Sequence, residues 1–171
     1  MLERGKGIDD MNPVVRKARL KEINRIQEIA KMSWNATYDG IIPRPVQDNF
    51  LKNAYSDDMM KRRIENSLFL VGEVDNQIIG FANFSPVNET GEAELGAIYL
   101  MPDAQGNGIG TALLKEGIAQ LSGVSKIFIN VEKQNEVGKR FYEAKGFQVF
   151  SEFDDNFDGH ILRTIRMVLK V

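Results

Sequence analysis

Hydrophobic residues recur every three or four positions in the first third of the chain, with lysine, glutamate and arginine between them. This spacing predicts an amphipathic helix that ends near Ser33. The apolar face of that helix consists of Leu20, Ile23, Ile26, Ile29 and Ala30. Residues 34–45 contain one glycine and two prolines and are predicted to form a loop. Two shorter helices should follow, over about 46–54 and from the N-cap Ser56 to Asn66.

From Leu68 onward the chain consists mainly of short β-rich runs separated by turn residues. Together with an early run, they predict strands over 14–18, 68–74, 77–84, 92–101, 126–131, 147–153 and 161–169. Helices are predicted over 108–121 and 135–145, and a polar loop over 154–159. The element order βααα-βββ-α-β-α-ββ predicts an α/β fold. Its sheet should have about seven strands, largely antiparallel, with one or two parallel crossovers.

The size and composition of the chain exclude several classes of protein. Its 171 residues correspond to one domain. The 22 Lys and Arg residues nearly balance the 24 Asp and Glu residues, which argues against a nucleic-acid partner. The absence of cysteine excludes disulfides and thiol nucleophiles. The single histidine, His160, cannot form a metal site alone, so we expect no metal and place His160 at the surface.

The N-terminal segment gives no sign of export. Residues 1–10 lack the apolar run of a signal peptide, and no stretch of the sequence is apolar enough to span a bilayer. We therefore expect residues 1–10 to be a flexible extension and residues 11–171 to be a single domain. The expected location is the cytoplasm, with no membrane partner.

A glycine-rich segment, residues 105–111, lies between a predicted strand and a predicted helix. Its glycines at 106, 108 and 110 let the backbone approach a ligand without an intervening Cβ. The free N–H groups and the dipole of the following helix favour an anion, best a phosphate or pyrophosphate. A tight turn with spare glycines is the alternative interpretation. The spacing matches neither the dinucleotide-binding nor the Walker motif.

The helix predicted over 135–145 has two distinct faces. At about 100° per residue, one face carries Asn135, Gly138, Lys139 and Tyr142, and the opposite face carries Val137, Phe141 and Ala144. We expect the apolar face to pack on the sheet and the polar face to line a ligand site. Tyr142 could then donate a proton to a leaving group. A half-buried structural tyrosine is the alternative.

Together the two motifs resemble the GNAT superfamily of acetyl-CoA-dependent N-acetyltransferases. The first is Gln105-x-x-Gly108-x-Gly110 after a strand that ends in Ile98-Tyr99-Leu100-Met101-Pro102, and the second is Asn135…Phe141-Tyr142…Gly146-Phe147. The resemblance covers about residues 68–169, and the N-terminal helices fit it by order alone. It implies a sheet that is splayed at its centre and flanked by helices on both faces.

The resemblance also implies roles for individual residues. Acetyl-CoA would be the acetyl donor, with its pyrophosphate on the amides of residues 106–111 and its pantetheine arm along the strand 98–100. The N–H near Leu100 would bind the acetyl oxygen, Asn135 would bond the arm, and Tyr142 would be the general acid. The implied cofactor-binding residues are Ile98, Tyr99, Leu100, Gln105, Gly106, Asn107, Gly108, Ile109, Gly110, Thr111, Asn135, Lys139 and Tyr142.

The acceptor amine must lose a proton before it attacks, because an alkyl ammonium has a pKa near 10. Strand alternation would place Glu92 and Glu94 on the same face as Gly96 and Leu100. Glu94 lies nearer the expected thioester, and the resembled family often carries a base there, so Glu94 is the predicted base. Two solvated edge charges are the alternative, and Glu73 is a further candidate for the base.

The segment 34–43 is predicted to contact the acceptor. Trp34 and Tyr38, beside Asp39, could form an aromatic wall for a cation, although a hydrophobic plug is equally compatible. Glu94 is a further residue expected to contact the acceptor. The pattern W-x-x-T-Y-x-G-I-I-P is similar to that of bacterial small-molecule acetyltransferases, including the PaiA type that acts on spermidine and spermine. The favoured acceptor is therefore a small, polyamine-like primary amine that attacks directly, because there is no cysteine to carry the acetyl group.

Other functions and assemblies stay open at this point. The acceptor could instead be a protein N-terminus or the amine of an antibiotic. A non-catalytic sensor that binds acyl-CoA without turnover is an alternative from a different class. A homodimer is also compatible with the sequence.

Overall fold

The computed structural model describes residues 13–171, so the predicted extension, residues 1–10, lies outside the described part of the chain. Two short 3-10 turns, Leu20–Glu22 and Pro102–Ala104, accompany the main elements. In chain order the helices and strands are β1 (Val14–Lys17), α1 (Ile23–Tyr38), α2 (Arg44–Ala54), α3 (Asp57–Asn66), β2 (Leu68–Val74), β3 (Gln77–Phe84), β4 (Glu92–Leu100), α4 (Ile109–Gln120), β5 (Lys126–Glu132), α5 (Glu136–Ala144), β6 (Gln148–Phe157) and β7 (His160–Lys170).

The seven strands form one sheet in the order β1-β2-β3-β4-β5-β7-β6. Every neighbouring pair is antiparallel except β4 and β5, which are parallel. The α/β fold with a mostly antiparallel seven-stranded sheet is thereby confirmed. Between residues 13 and 171, no helix has both the length and the apolar character needed to cross a membrane.

The sheet is splayed between β4 and β5. These strands pair only where Glu92, Ala93 and Glu94 face residues 126–128, whereas β5 pairs with β7 along its whole length. Next to the end of this short ladder, β4 carries a bulge. Asn83 of β3 faces Ala97 and Phe84 faces Leu95, so Gly96 is the extra residue. The bulge bends β4 and opens a gap beside β5.

Helices cover both faces of the sheet. Helix α4 packs on one face, where Leu113 and Leu114 join a core formed by alternate residues of β2 to β5 and β7. Helices α1, α2 and α3 cover the other face of β2 to β4, with Ile26, Ile29 and Met60 fully buried. The two cores fix the central strands from both sides and leave the gap between β4 and β5 unfilled.

Glycines allow α4 to lie close to the sheet. Gly72 of β2 and Gly80 of β3 are paired across the ladder beneath the first turn of α4. A Cβ on either glycine would come within 3.6 Å of the Cγ2 atom of Ile109. Farther along α4, Gly117 lies directly on the ring of Phe84. The start of α4 is therefore held at a fixed height above the sheet.

Helix α1 is longer than the sequence predicts. It continues through Trp34 to Tyr38, and the predicted loop 34–45 is reduced to residues 39–43. Tertiary packing explains the difference, because the ring of Trp34 stacks on Phe50 at 4.4 Å and on Phe157 at 5.8 Å between centroids. The chain leaves the helix only before Gly40, which has a φ of 86°.

The hairpin of β6 and β7 is also longer than predicted. Most of the expected loop 154–159 is strand, and the turn is reduced to Asp158 and Gly159, both with positive φ. The ion pair between Arg163 Nη1 and Asp154 Oδ1, at 3.0 Å, supports this cross-strand register. His160 is the half-buried first residue of β7.

Replacing Gly117 with alanine tests the packing of α4 on β3. Alanine normally favours a helix over glycine by about 1 kcal/mol. Here, however, a Cβ would lie 2.2 Å from Cζ of Phe84. We expect Gly117→Ala to lower the free energy of unfolding by about 1–3 kcal/mol, as measured by urea denaturation.

The matched background is Phe84→Leu, which removes the ring edge that the new methyl group would meet. Gly117→Ala should cost less in that background than in the wild-type chain, and the double-mutant cycle gives the coupling. A Gly117→Ala protein as stable as the wild type would contradict the close approach of α4 to β3.

Candidate active site

A cleft of about 550 Å³ occupies the gap between β4 and β5. Its walls come from the end of α1, the second half of β4, the glycine loop, the end of β5 and the first turns of α5. The lining residues are Ser33, Ala36, Thr37, Tyr38, Leu95, Gly96, Ala97, Ile98, Tyr99, Leu100, Gln105, Gly106, Gly108, Gly110, Thr111, Asn130, Val131, Gln134, Asn135, Glu136, Val137, Gly138, Phe141 and Tyr142. The cleft therefore brings together most of the residues that the two motifs predict.

The glycine loop forms one end of the cleft. Gly106 and Gly108 have φ values of 84° and 81°, and a Cβ on either would meet no atom within 4 Å. Gly108 is the N-cap of α4, so the unbonded N–H groups of the first helical turn start here. The loop thus offers backbone donors, a helix N-terminus and free space, which together suit an anionic group.

Within the glycine segment, two residues predicted to bind the cofactor do not line the cleft. The side-chain amide of Asn107 donates to the backbone oxygens of Ala104 and Gln105, at 3.3 and 3.4 Å, and so shapes the loop from within. Ile109 is 1% exposed and belongs to the core under α4. Any contribution of these two side chains to binding is therefore indirect.

The edge of β4 that faces β5 has no strand partner beyond Glu94. The N–H of Met101 donates to the oxygen of Ile79 in β3. Because successive N–H groups of a strand alternate in direction, those of Ile98 and Leu100 point into the gap. An extended ligand can pair with this edge as an added strand would.

Asn135 fixes the start of α5 on the opposite side of the gap. Its Oδ1 accepts the N–H of Gly138 at 3.0 Å, as an N-cap does. The residue lines the cleft, and its Nδ2 group remains available as a donor. Gly138 must be small, because a Cβ there would lie 2.7 Å from that Nδ2 atom. Lys139 lies outside the lining and pairs with Glu136 at 3.6 Å.

Helix α5 follows the prediction only in part: Asn135, Gly138 and Tyr142 line the cleft as expected. Val137 is 65% exposed, so the supposed apolar face does not rest on the sheet. Instead Tyr142 packs against the core beneath α4, with its ring 5.4 Å from that of Phe147. Phe141 contacts the start of α4, where a Cβ on Gly110 would lie 3.2 Å from the ring. The short α5 is held by these aromatic contacts.

Three tyrosine side chains meet in the cleft. Burial raises the pKa of Tyr142, and the neighbouring phenol of Tyr99 adds to the effect. Burial likewise raises the pKa of Tyr38, reinforced by Tyr99 and Tyr142, opposed by the side chain of Asn135 and raised a little further by Glu132. Burial also raises the pKa of Tyr99. All three phenols are therefore neutral at physiological pH and can donate hydrogen bonds.

Trp34 does not reach the cleft. It is 5% exposed and packs in a cluster with Tyr38, Ile42 and Leu162. This arrangement agrees with the hydrophobic plug, the alternative to a cation-binding wall. Of these two predicted aromatic residues, Tyr38 lines the cleft, one helical turn after Trp34.

Glu94 pairs with Arg166 of β7. Both carboxylate oxygens take part: the Nη2 group donates to Oε1, and Nη1 donates to Oε2 at 3.2 Å. Arg166 also donates to Oδ1 of Asn130 at 3.0 Å and lies over the ring of Phe128. The other sequence candidate, Glu73 of β2, pairs with Arg16 of β1 at 3.0 Å, at the edge of the sheet that is remote from the cleft.

The prediction that Glu94 lies on the same face of β4 as Leu100 is wrong. The bulge at Gly96 inverts the alternation of β4, so Leu95 packs beneath α4 before the bulge and Ile98 does so after it. Glu92 and Glu94 therefore lie on the face of Ala97 and Tyr99, not on that of Ile98 and Leu100. A single inserted residue accounts for the change.

The sequence did not predict that Asn130, Thr37 and most of the other α1 residues at the cleft would line it. Asn130 carried a usable signal, since it is a polar residue inside the otherwise apolar run 127–131. Thr37 was hidden because its segment was predicted to be a loop, whereas the structure makes it the last turn of α1.

Comparison with known proteins identifies the family. A family model described as the acetyltransferase (GNAT) family matches residues 23–147, most of the chain. The chain belongs to the GNAT family. The resemblance drawn from the two motifs is thus confirmed, and the protein is an N-acetyltransferase that depends on acetyl-CoA.

Several relatives of this GNAT protein cover most of its length. It is 31% identical over 147 residues to the spermidine N(1)-acetyltransferase of Thermoplasma acidophilum, covering 81% of this chain and 90% of that one. It is 35% identical over 149 residues to the uncharacterised N-acetyltransferase YuaI of Bacillus subtilis, covering 84% of each. The crystal structure of the PaiA N-acetyltransferase of T. acidophilum in complex with coenzyme A superposes with a TM-score of 0.82 at 28% identity, covering 94% of this chain and 100% of that one.

Replacing Gly108 with alanine tests the anion site of this GNAT protein. The new methyl group would project into the space that an approaching phosphate needs. We expect Gly108→Ala to weaken acetyl-CoA binding more than tenfold, or about 1.4 kcal/mol, in titration calorimetry. The positive φ also adds backbone strain of about 1–2 kcal/mol to the folded state.

Gly123→Ala is the matched control for that strain. Gly123 has a φ of 75° and open space around it, and it lies beyond the opposite end of α4. The two variants should lose similar stability, but only Gly108→Ala should lose affinity. Equal affinity of both variants for acetyl-CoA would contradict the assignment of the loop.

Proposed function

We propose that the protein transfers the acetyl group of acetyl-CoA to a primary amine of a small, polyamine-like molecule. The observation that carries the proposal is the open gap between β4 and β5. It joins a glycine loop suited to a pyrophosphate to a group of three neutral phenols, one buried and two partly buried. The named activity of the T. acidophilum relative on spermidine supports the choice of acceptor.

The cleft has the features that a coenzyme A thioester requires. Backbone donors of residues 106–111 would hold its pyrophosphate, and the free edge of β4 at Ile98 and Leu100 would pair with its pantetheine arm. The Nδ2 group of Asn135 would donate to the arm from α5. When bound, the thioester supplies an activated acetyl group. The Leu100 N–H is the donor that we place at the acetyl oxygen.

We place Tyr142 beside the sulfur as a hydrogen-bond donor. Tyr142 lines the cleft, so its hydroxyl can reach a bound ligand. Because burial raises its pKa, the phenol is a weaker acid than a thiol, whose ordinary pKa is about 8.5. We infer that Tyr142 stabilises the departing thiolate by a hydrogen bond and keeps its own proton through most of the step.

The proposed transfer is direct. The neutral amine nitrogen forms a bond to the acetyl carbon and the carbon–sulfur bond breaks. The proton that the nitrogen loses ends on the departing sulfur, so the products are an amide and a thiol. The proton that the ammonium form of the acceptor loses beforehand goes to water. No cysteine exists in the chain to carry the acetyl group. Tyr38, at the end of α1, lines the cleft and provides an aromatic surface for an alkylammonium.

A panel of amines tests the proposed function. Release of free thiol from acetyl-CoA should be fastest with spermidine, spermine and α,ω-diamines, and slower with an aminoglycoside or a peptide with a free N-terminus. Mass spectrometry should show one added acetyl group on the amine. Tight binding of acetyl-CoA with no turnover on any amine would instead support the non-catalytic sensor.

Replacing Tyr142 with phenylalanine removes only the hydroxyl. We expect turnover to fall about 10²–10³-fold, because a donor to the leaving group is lost at the chemical step. The KM for acetyl-CoA should change little, since most of its contacts lie elsewhere. The control is Tyr55→Phe, a buried tyrosine outside the cleft. Nearly full turnover of Tyr142→Phe would contradict the role given to this phenol.

The ion pair of Glu94 gives the sequence prediction of a base a direct test. Both oxygens of the Glu94 carboxylate accept hydrogen bonds from the Arg166 guanidinium, so the carboxylate is already engaged by a cation. We therefore propose that Glu94 holds Arg166 in place. Glu94→Gln should lower turnover roughly fivefold, which corresponds to an increase of about 1 kcal/mol in the activation free energy. The factor should be the same at pH 7 and at pH 9.5.

Glu92→Gln, two residues earlier on the same face, is the matched control and should leave turnover unchanged. In all these proteins the rate should rise with pH, because more of the amine is neutral. A deficit of Glu94→Gln that is large at pH 7 and disappears at pH 9.5 would show that Glu94 withdraws the amine proton after all.

A further inference from the structure

Glu132 stands out among the carboxylates near the cleft, because it is buried directly beside residues that line it. Glu94 is paired with Arg166, and Glu136 is paired with Lys139 and largely exposed. Glu132 is 8% exposed and forms no ion pair with any residue in the range 13–171. A buried carboxylate without a cation is costly unless it is hydrogen-bonded or a ligand neutralises it.

The carboxylate of Glu132 accepts fewer hydrogen bonds than an ionised carboxylate can. Its Oε2 accepts the N–H of Gln134 at 2.6 Å, and no other described donor reaches the carboxylate. An ionised carboxylate has about four acceptor positions, so most of them remain free. Glu132 is the last residue of β5, and Val131 before it and Gln134 after it both line the cleft.

The surroundings of Glu132 suit an alkylammonium. By strand alternation it shares the face of Phe128 and Asn130, away from α4, and it lies opposite Thr164 of β7. On the same face of β7, Leu162 packs with Tyr38. The charge of Glu132 contributes to the raised pKa of Tyr38, after burial and the other phenols, which is consistent with their proximity. A carboxylate next to aromatic rings favours a cation with an alkyl chain.

We propose that Glu132 binds a second, charged amino group of the acceptor while a first, neutral amino group attacks the thioester. Tyr38 forms the apolar wall along the chain between them. This inference rests on the proposed function and assigns its preference for diamines and polyamines to one residue. A monoamine would leave the carboxylate unneutralised and should be a poor acceptor.

The position of Glu132 relative to the gap sets a length for the acceptor. Asn130, which lies two residues before Glu132 on the same face of β5, lines the cleft. Two residues of a strand span about 6.6 Å. We place the attacking amino group beside Asn130, so that the two amino groups are separated by a short spacer, as in a diamine of three or four carbons or in one arm of spermidine.

Kinetics with matched acceptors test the proposal. For the wild-type protein, kcat/KM should be at least about tenfold higher with 1,4-diaminobutane than with butylamine, because only the diamine carries the second ammonium group. Glu132→Gln should lose that preference through a higher KM for the diamine. Its kcat/KM for butylamine and its KM for acetyl-CoA should change less than about twofold.

Two further variants make the result specific. Glu65→Gln, on the exposed surface of α3, changes the charge equally and should keep the diamine preference. If Glu132→Gln fails to fold, Glu132→Asp keeps the charge on a shorter side chain and should raise the KM for 1,4-diaminobutane more than that for butylamine.

The outcomes separate the two proposals. A wild-type protein that acetylates no amine of the series contradicts the proposed function itself. A wild-type protein that acetylates these amines, with Glu132 variants that affect diamine and monoamine equally or not at all, overturns the role of Glu132 alone.

Discussion

The short ladder between β4 and β5 is the constraint on which the site depends. The two strands pair at Glu92, Ala93 and Glu94 and then separate, while β3 and β7 hold their outer edges in place. The extra residue at Gly96 bends β4 at this point. Because both strands remain fixed on their far sides, the gap is a stable part of the fold. It exposes the N–H groups of Ile98 and Leu100 inside an otherwise continuous sheet.

The position of α4 follows from the same sheet. Gly72 and Gly80 lower its first turn onto β2 and β3, and Gly117 lies on Phe84. These close contacts bring the N-terminus of α4 to the open end of the gap, with Gly108 as its N-cap. Backbone donors of the loop and of the strand edge thus face one continuous cleft. Three neutral phenols complete it, those of Tyr38 on α1, Tyr99 on β4 and Tyr142 on α5.

Local sequence patterns predicted the elements better than their orientation. Strands β2 and β3 and the N-cap of α3 are as predicted, because alternation, turn residues and capping are local signals. The last turn of α1 depends on Trp34 stacking against residues of α2 and β6, which no local pattern contains. The glycines and prolines after it therefore suggested a loop that begins too early.

In the candidate site too, local motifs predicted which residues take part better than how their side chains are oriented. The glycine loop, Asn135 and Tyr142 were predicted from motif spacing, and they line one cleft. The face of Glu94 was wrong because a bulge of one residue inverts side-chain alternation, and its partner Arg166 lies 72 residues away. The unpaired state of Glu132 is likewise a property of the folded chain, since neighbouring Lys133 pairs with Glu152 on β6 instead.

The most direct test of this account is backbone hydrogen exchange with and without coenzyme A. Binding should slow exchange at the amides of Ile98 and Leu100, which point into the gap, and at those of residues 106–111. The amides of α3, on the far side of the sheet, should exchange at unchanged rates. If coenzyme A binds but these strand and loop amides exchange as fast as before, the gap between β4 and β5 is not the cofactor site, and the account is wrong.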